Sequence, residues 1–141
     1  MIKLRDPIKG CPWDKKQTFE SIIPHTIEEV YEVAEQVYKK DYNKIKDELG
    51  DLLFQIIFLS QIAKEKKIFT FNDVVKQITD KMIFRHPHVF KNKKFKNMKD
   101  FNNWWEESKN KNLTSLLDDI PNNYPEMLKS NKIQKKVAKV G

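Results

Sequence analysis

The sequence predicts an all-α protein, and three observations carry that prediction. Apolar residues recur at the three- and four-residue spacing of a buried helix face through three segments, near 26–40, 44–66 and 71–85. No stretch shows the strict alternation of a strand. No internal repeat or low-complexity tract interrupts the helical pattern.

The elements follow in order. Residues 1–17, with Pro7, Gly10 and Pro12, read as an irregular arm. A helix is expected from near Thr18, disturbed at Pro24 and resumed from Thr26 to about Lys40, with Thr26 and Glu29 in a capping-box pattern. Its apolar stripe is Ile27, Val30, Ala34, Val37 and Tyr38; Glu28, Glu32 and Glu35 lie opposite and Glu29 on a flank. After a turn at 41–43, a second helix runs from about Lys44 to Lys66. Between Leu49 and Leu59 it is apolar on nearly every side except at Gly50, Asp51 and Gln55, so it is expected to be buried between neighbours or across a dimer interface. A third helix spans Phe71 to Arg85, with Asn72 or Asp73 near its start and His86-Pro87 as its stop, because proline disfavours helix in the residue before it. A loop rich in lysine and asparagine at 91–99 precedes a short helix around Phe101–Lys109 that carries Trp104 and Trp105. Residues 110–125 read as loop and Glu126–Val140 as a final basic helix.

A chain of 141 residues fits one domain with a real core, and 39% apolar with 33% charged residues fits a soluble globular protein. No apolar run approaches the roughly 20 residues of a membrane span, so no membrane partner is expected. The single cysteine, Cys11, excludes an internal disulfide, and the N-terminus lacks a signal-like stretch; both point to the cytoplasm. The net charge of +7 invites a nucleic-acid reading, yet Arg5 and Arg85 are the only arginines among 27 basic residues. Scattered lysine lacks the bidentate fork that phosphate recognition favours, and no binding motif accompanies it. The charge is also uneven: residues 28–51 hold eight acids and four lysines, a net −4 that leaves +11 on the remainder. An acidic centre in a basic protein suits a metal site approached by an anionic substrate.

That centre is built from two acid pairs, Glu29 with Glu32 and Glu48 with Asp51, each three residues apart on a helix. Residues at that spacing point to nearly the same side. If the two helices pack face to face, all four acids converge. Like charges so close require either protons or a cation. An all-oxygen set suits a hard ion such as Mg²⁺, which makes the chain a candidate metal-dependent phosphate enzyme.

Five segments together resemble the MazG family of nucleoside triphosphate pyrophosphohydrolases. They are Cys11-Pro12-Trp13-Asp14, Gln17-Thr18, Glu28-Glu29-x-x-Glu32, Glu48-Leu49-Gly50-Asp51-Leu52-Leu53 and Arg85-His86-Pro87-His88-Val89-Phe90. The resemblance implies an antiparallel helix bundle whose four-helix core is completed by dimerisation. It implies hydrolysis of nucleoside triphosphates between the α and β phosphates, giving the monophosphate and pyrophosphate. By similarity Glu29, Glu32, Glu48 and Asp51 hold one or two Mg²⁺ ions, for which Mn²⁺ can substitute, and Glu28 lies beside the site. Glu28 or Glu32 is then the acceptor of the attacking water's proton. Lys15, Lys81, Arg85 and His86 are candidate contacts to the triphosphate, and Trp13 a candidate base-stacking residue. The ending Lys132–Gly141 resembles the segment that joins a first MazG copy to a second in two-copy members. The expected division is therefore a pyrophosphohydrolase domain at 1–125 and a basic, linker-like helix at 126–141. The competing reading is a catalytically silent helical domain, stapled by metal, that binds nucleotides or a protein partner.

Other conspicuous residues have plainer readings. His86 and His88 first suggest packing at a turn, Cys11 a packed thiol, and Trp104 with Trp105 core or interface anchors. Glu35 reads as a surface acid and His25 as a helix-start residue.

Overall fold

The computed structural model describes residues 1–110, 117 and 120–138, and every described element is helical. The order is α1 (Pro12–Lys16), α2 (Phe19–Lys39), α3 (Tyr42–Glu65), α4 (Phe71–Arg85), α5 (Pro87–Phe90), α6 (Met98–Asn110) and α7 (Glu126–Val137). Expectations for 111–116, 118–119 and the end of the last helix at 139–140 fall outside the described residues. The chain forms two compact units, residues 1–79 and 80–141, and α4 runs across the division.

In the first unit α2 and α3 pack as an antiparallel hairpin. The helix containing Pro24 is continuous, not restarted. Its cap is Thr18, whose hydroxyl accepts from the Ser21 amide while the Ser21 hydroxyl accepts from the Thr18 amide. Proline deletes one amide donor but keeps a helical φ, so a helix capped upstream can carry it through. Thr26, expected as a cap, instead donates its hydroxyl to the Ile22 carbonyl one turn back, 3.1 Å away.

The turn between α2 and α3 is shorter than expected. Lys40 takes a left-handed conformation (φ 58°), its amide reaching the Val37 carbonyl and the Asp41 amide the Gln36 carbonyl. This is a Schellman closure with lysine where glycine is usual. Asp41 then caps α3 by accepting from the Lys44 amide. Lys67 (φ 58°) closes α3 in the same way, and Thr70 with Asp73 forms the reciprocal cap that opens α4.

The seam between α2 and α3 follows a seven-residue spacing, Ile22, Glu29 and Gln36 against Glu48, Gln55 and Ile62. Its end far from the turn is apolar: Ile22, Phe58 and Ile62 are at most 2% exposed and form the core with Met1, Phe19 and Leu59 around them. Burying three such side chains contributes about 1.5–3 kcal/mol each. The stripe anticipated as the core face of α2 lies away from this seam, with Ile27, Val30 and Val37 half exposed and Tyr38 86% exposed. Across α3, Leu49 and Leu53 are likewise half exposed.

The second unit is organised by aromatic contacts. Proline at 87 ends α4 and also opens α5, where a missing amide donor is harmless. His86 and His88 pack their rings against Trp105 and Phe101 respectively, each at 5.0 Å, and Lys93 lies 3.5 Å over the Trp104 ring.

Replacing Lys40 by glycine should remove the left-handed penalty at the hairpin turn. Part of that gain is offset by glycine's greater freedom when unfolded. A net stabilisation of about 0.5 kcal/mol, read as a rise of ~2 °C in a thermal melt, is expected.

Candidate functional site

The part of the same seam nearer the turn is acidic. Glu29 projects from α2, and Glu48 and Asp51 from successive turns of α3, so that one carboxylate oxygen of each lies within 4.8 Å of the others. Among the described residues this is the one group of three or more such side chains able to share a metal ion. Glu29 and Glu48 are half-buried and Asp51 is exposed, so the group sits at the rim of the hairpin and not in its core.

Gln55, one turn beyond Asp51, is 7% exposed and donates its amide to Glu29 Oε1 at 3.2 Å. This bond ties the α2 carboxylate to α3. In the sequence Gln55 is only a polar break in an apolar run. Its function as an orienting donor is visible once the two helices are aligned.

Glu32 is exposed and lies outside the group of three, yet it feels the cluster. Desolvation, then the negative charges of Glu29, Glu48 and Glu28, push its carboxyl above the usual carboxylate range. Glu28 is exposed and stands 3.8 Å from His25 Nδ1, one turn before it. The acids therefore form a region of concentrated negative potential. The donor set passes a simple fit test for a divalent cation. Oxygens around an octahedral Mg²⁺ stand about 3–4 Å apart, a spacing that small torsions at three carboxylates can reach from the one seen. The oxygen-only chemistry also favours a hard ion over a soft one.

The remaining sequence candidates are distributed. Trp13, half exposed on α1, sets its ring edge-on to His25 at 5.7 Å and to Phe58 at 6.3 Å. His25 is one turn before Glu29 on α2, so Trp13 stands beside the helix that carries the acids. Lys15 directs its ammonium to the Pro7 carbonyl within the arm. Lys81, Arg85 and His86 belong to the second unit. Lys81 is exposed, and the Arg85 guanidinium lies 5.9 Å from the Trp105 ring centre. His86 Nδ1 is 2.8 Å from the Met82 carbonyl, which makes that nitrogen the donor. The neutral ring then offers an anion only an acceptor at Nε2, so contact with phosphate requires the protonated form.

A helical hairpin that brings three carboxylates together at its seam defines an α-helical domain with a candidate site for a divalent cation. Comparison with known proteins gives the family. The model of the MazG nucleotide pyrophosphohydrolase domain matches residues 17–90, and the chain belongs to that family. It is 45% identical over 146 residues to a nucleoside triphosphate pyrophosphohydrolase of Escherichia coli K12, covering 100% of this chain and 56% of that protein. It is 40% identical to the nucleoside triphosphate pyrophosphohydrolase/pyrophosphatase MazG of Thermotoga maritima, covering 100% and 55%. The chain thus spans about half the length of these curated relatives. A crystal structure of a mazG-related protein from Thermotoga maritima superposes with a TM-score of 0.60 at 26% identity, over 70% of this chain and 86% of that one.

Two measurements test the acid cluster. Replacing Gln55 with leucine frees Glu29 from its donor, and Mg²⁺ affinity by calorimetry should fall about tenfold while helicity is retained. A carboxyl raised in the folded state favours folding at low pH, and that contribution is lost as pH rises through its folded value. A bound cation relieves the repulsion. The gain in melting temperature from excess Mg²⁺ over chelator should therefore be larger near about pH 7.5 than near about pH 5. Equal gains at the two pH values would contradict it.

Proposed function

We propose that this chain hydrolyses nucleoside triphosphates between the α and β phosphates, releasing the monophosphate and pyrophosphate, with Mg²⁺ as cofactor. The observation that carries the reading is the convergence of Glu29, Glu48 and Asp51 at the α2–α3 seam of a chain belonging to the MazG family. The relatives from Escherichia coli and Thermotoga maritima bear the names of nucleoside triphosphate pyrophosphohydrolases, which supports the same reaction class.

Glu29, Glu32, Glu48 and Asp51 are the proposed ligands, with one or two ions and Mn²⁺ as a substitute. When bound, a divalent ion there supplies charge neutralisation of phosphate oxygens and a lower pKa for water. The chain's own residues do the rest. Gln55 holds Glu29 in its orientation through the bond across the seam. Glu32, already raised above ordinary carboxylates, is the best placed to accept a proton from the attacking water, with Glu28 as the second candidate. Trp13 is the proposed stacking surface for the base. Lys15, Lys81, Arg85 and His86 are the proposed phosphate contacts, drawn from a sequence with many cations and few arginines.

The protein we propose is a cytoplasmic homodimer, with its enzymatic part in residues 1–125 and a basic, linker-like helix after it. Among the described residues no helix is long and apolar enough to cross a membrane. A second copy is invoked because Ile23, Ile27 and Val30 of α2 and Leu49 and Leu53 of α3 are each 45–52% exposed. Apolar surface of that extent on paired helices favours association with another apolar face.

Product analysis on a panel of ribo- and deoxyribonucleoside triphosphates tests the reading. Monophosphate plus pyrophosphate, lost on chelation, is expected. Glu48→Gln should lower turnover at least about 100-fold with unchanged helicity. Intact triphosphates with every substrate, despite tight Mg²⁺ and nucleotide binding, would favour the silent binding domain.

A further inference from the structure

The hydrogen-bonding of Arg5 exceeds what a surface arginine requires. Its side chain is 8% exposed. Nε and Nη2 form a fork on the Glu65 carboxylate at the far end of α3, with bonds of 2.7–3.1 Å. Nη1 donates to the Asp14 and Gln17 carbonyls at the end of α1. The guanidinium also lies 5.4 Å over the Phe58 ring. A single side chain therefore ties α1 to α3.

What α1 carries is Trp13. The ring that Arg5 covers, Phe58, is also one of the two rings that Trp13 meets edge-on; the other is His25. Further contacts set the same arm. The Gln17 side chain donates to the Trp13 carbonyl and accepts from Ser21 at the start of α2. At Gly10 a β-carbon would collide with the Leu4 and Asp6 carbonyls, so the turn before α1 closes only around glycine. Yet Trp13 itself is left 50% exposed, and the His25 side chain 44%. An arm fastened this tightly would ordinarily bury its largest residue. Here two rings held by the arm and α2 remain open to solvent, and His25 stands about 6 Å along the helix from Glu29. That separation is comparable to the reach from a base to the phosphates attached to its sugar.

We propose that Arg5 is a positioning residue for the nucleobase: by fastening α1 to α3 it fixes Trp13 beside His25 as a stacking wall one helical turn from the acid cluster. The proposal rests on the nucleotide reading above but concerns binding, not hydrolysis. A stacking wall acts on the base equally in the bound substrate and in the transition state, so its loss raises KM and leaves kcat. A residue needed only for folding would reduce the active fraction, lowering apparent kcat at constant KM. Lysine cannot reproduce the bidentate fork, which makes Arg5→Lys the informative variant.

The experiment combines steady-state kinetics with quenching of 2-aminopurine riboside triphosphate fluorescence, a stacking signal that needs no turnover. Arg5→Lys should raise KM and the probe's Kd about tenfold, with kcat within about twofold. Trp13→Ala should do the same, and the double variant should be no worse than Trp13→Ala alone. If Arg5→Lys does not fold, Glu65→Gln loosens the same fork from the α3 side and is held to the same expectation. A fall in kcat at unchanged KM, or additive losses in the double variant, would overturn the proposal. Quenching that persists without turnover, and weakens in Arg5→Lys, would sink the hydrolase reading while upholding this one.

Discussion

Repulsion among the carboxylates of Glu29, Glu48 and Asp51 is the constraint around which the first unit is arranged. Helices pair to remove apolar surface from water, yet the part of this seam nearer the turn carries amide and acidic side chains. Like charges on three carboxylates whose oxygens lie within 4.8 Å disfavour the pairing that brings them together. The hairpin must be held by something other than its acidic end. The apolar cluster of Ile22, Phe58 and Ile62 serves that purpose, and the Arg5 fork on Glu65 reinforces it. Glu65 is kept below the usual carboxylate range, first by the hydrogen bond from Arg5, so the clasp holds its charge at neutral pH.

This division explains the placement of polar side chains that otherwise look misplaced. Gln55 is buried because Glu29 needs an orienting donor from the opposite helix. Glu32 stands at the rim, and its proton affinity rises first through desolvation and then through the charges of three neighbouring acids. A cation drawn into this field would relieve the strain of the pairing, which couples metal binding to the stability of the hairpin. Affinity for a metal and tolerance of an acidic seam are then two sides of one arrangement.

The helix ends show where a single sequence is hard to read. Lys40 and Lys67 close α2 and α3 in left-handed conformations, positions where glycine is the usual signal. The chain has three glycines, and none marks these ends. The turn expected at 41–43 is accordingly longer than the one at 40–41. Pro24 misled in the opposite direction, because a breaker is recognisable while the upstream Thr18–Ser21 cap that carries the helix past it looks ordinary. The apolar stripe on Ile27 and Val30 was legible as a stripe. Its partner was not, since periodicity reports that a face is apolar without reporting what covers it.

The sequence by itself determined the all-helical class, the spacing of the acid pairs and the motifs that place the chain in the MazG family. These are local properties, set by backbone periodicity and by residue types at fixed offsets. Tertiary structure decided which side of α2 meets α3, and hence that Glu29, Glu48 and Asp51 share one small volume while Glu32 stays at its edge. It also decided that Gln55 serves Glu29 and that Arg5, one of only two arginines, fastens the arm bearing Trp13. Those outcomes depend on the rotation of one helix about its axis relative to another. A shift of one residue turns a helix by about 100°, and no pattern within a single segment records that angle.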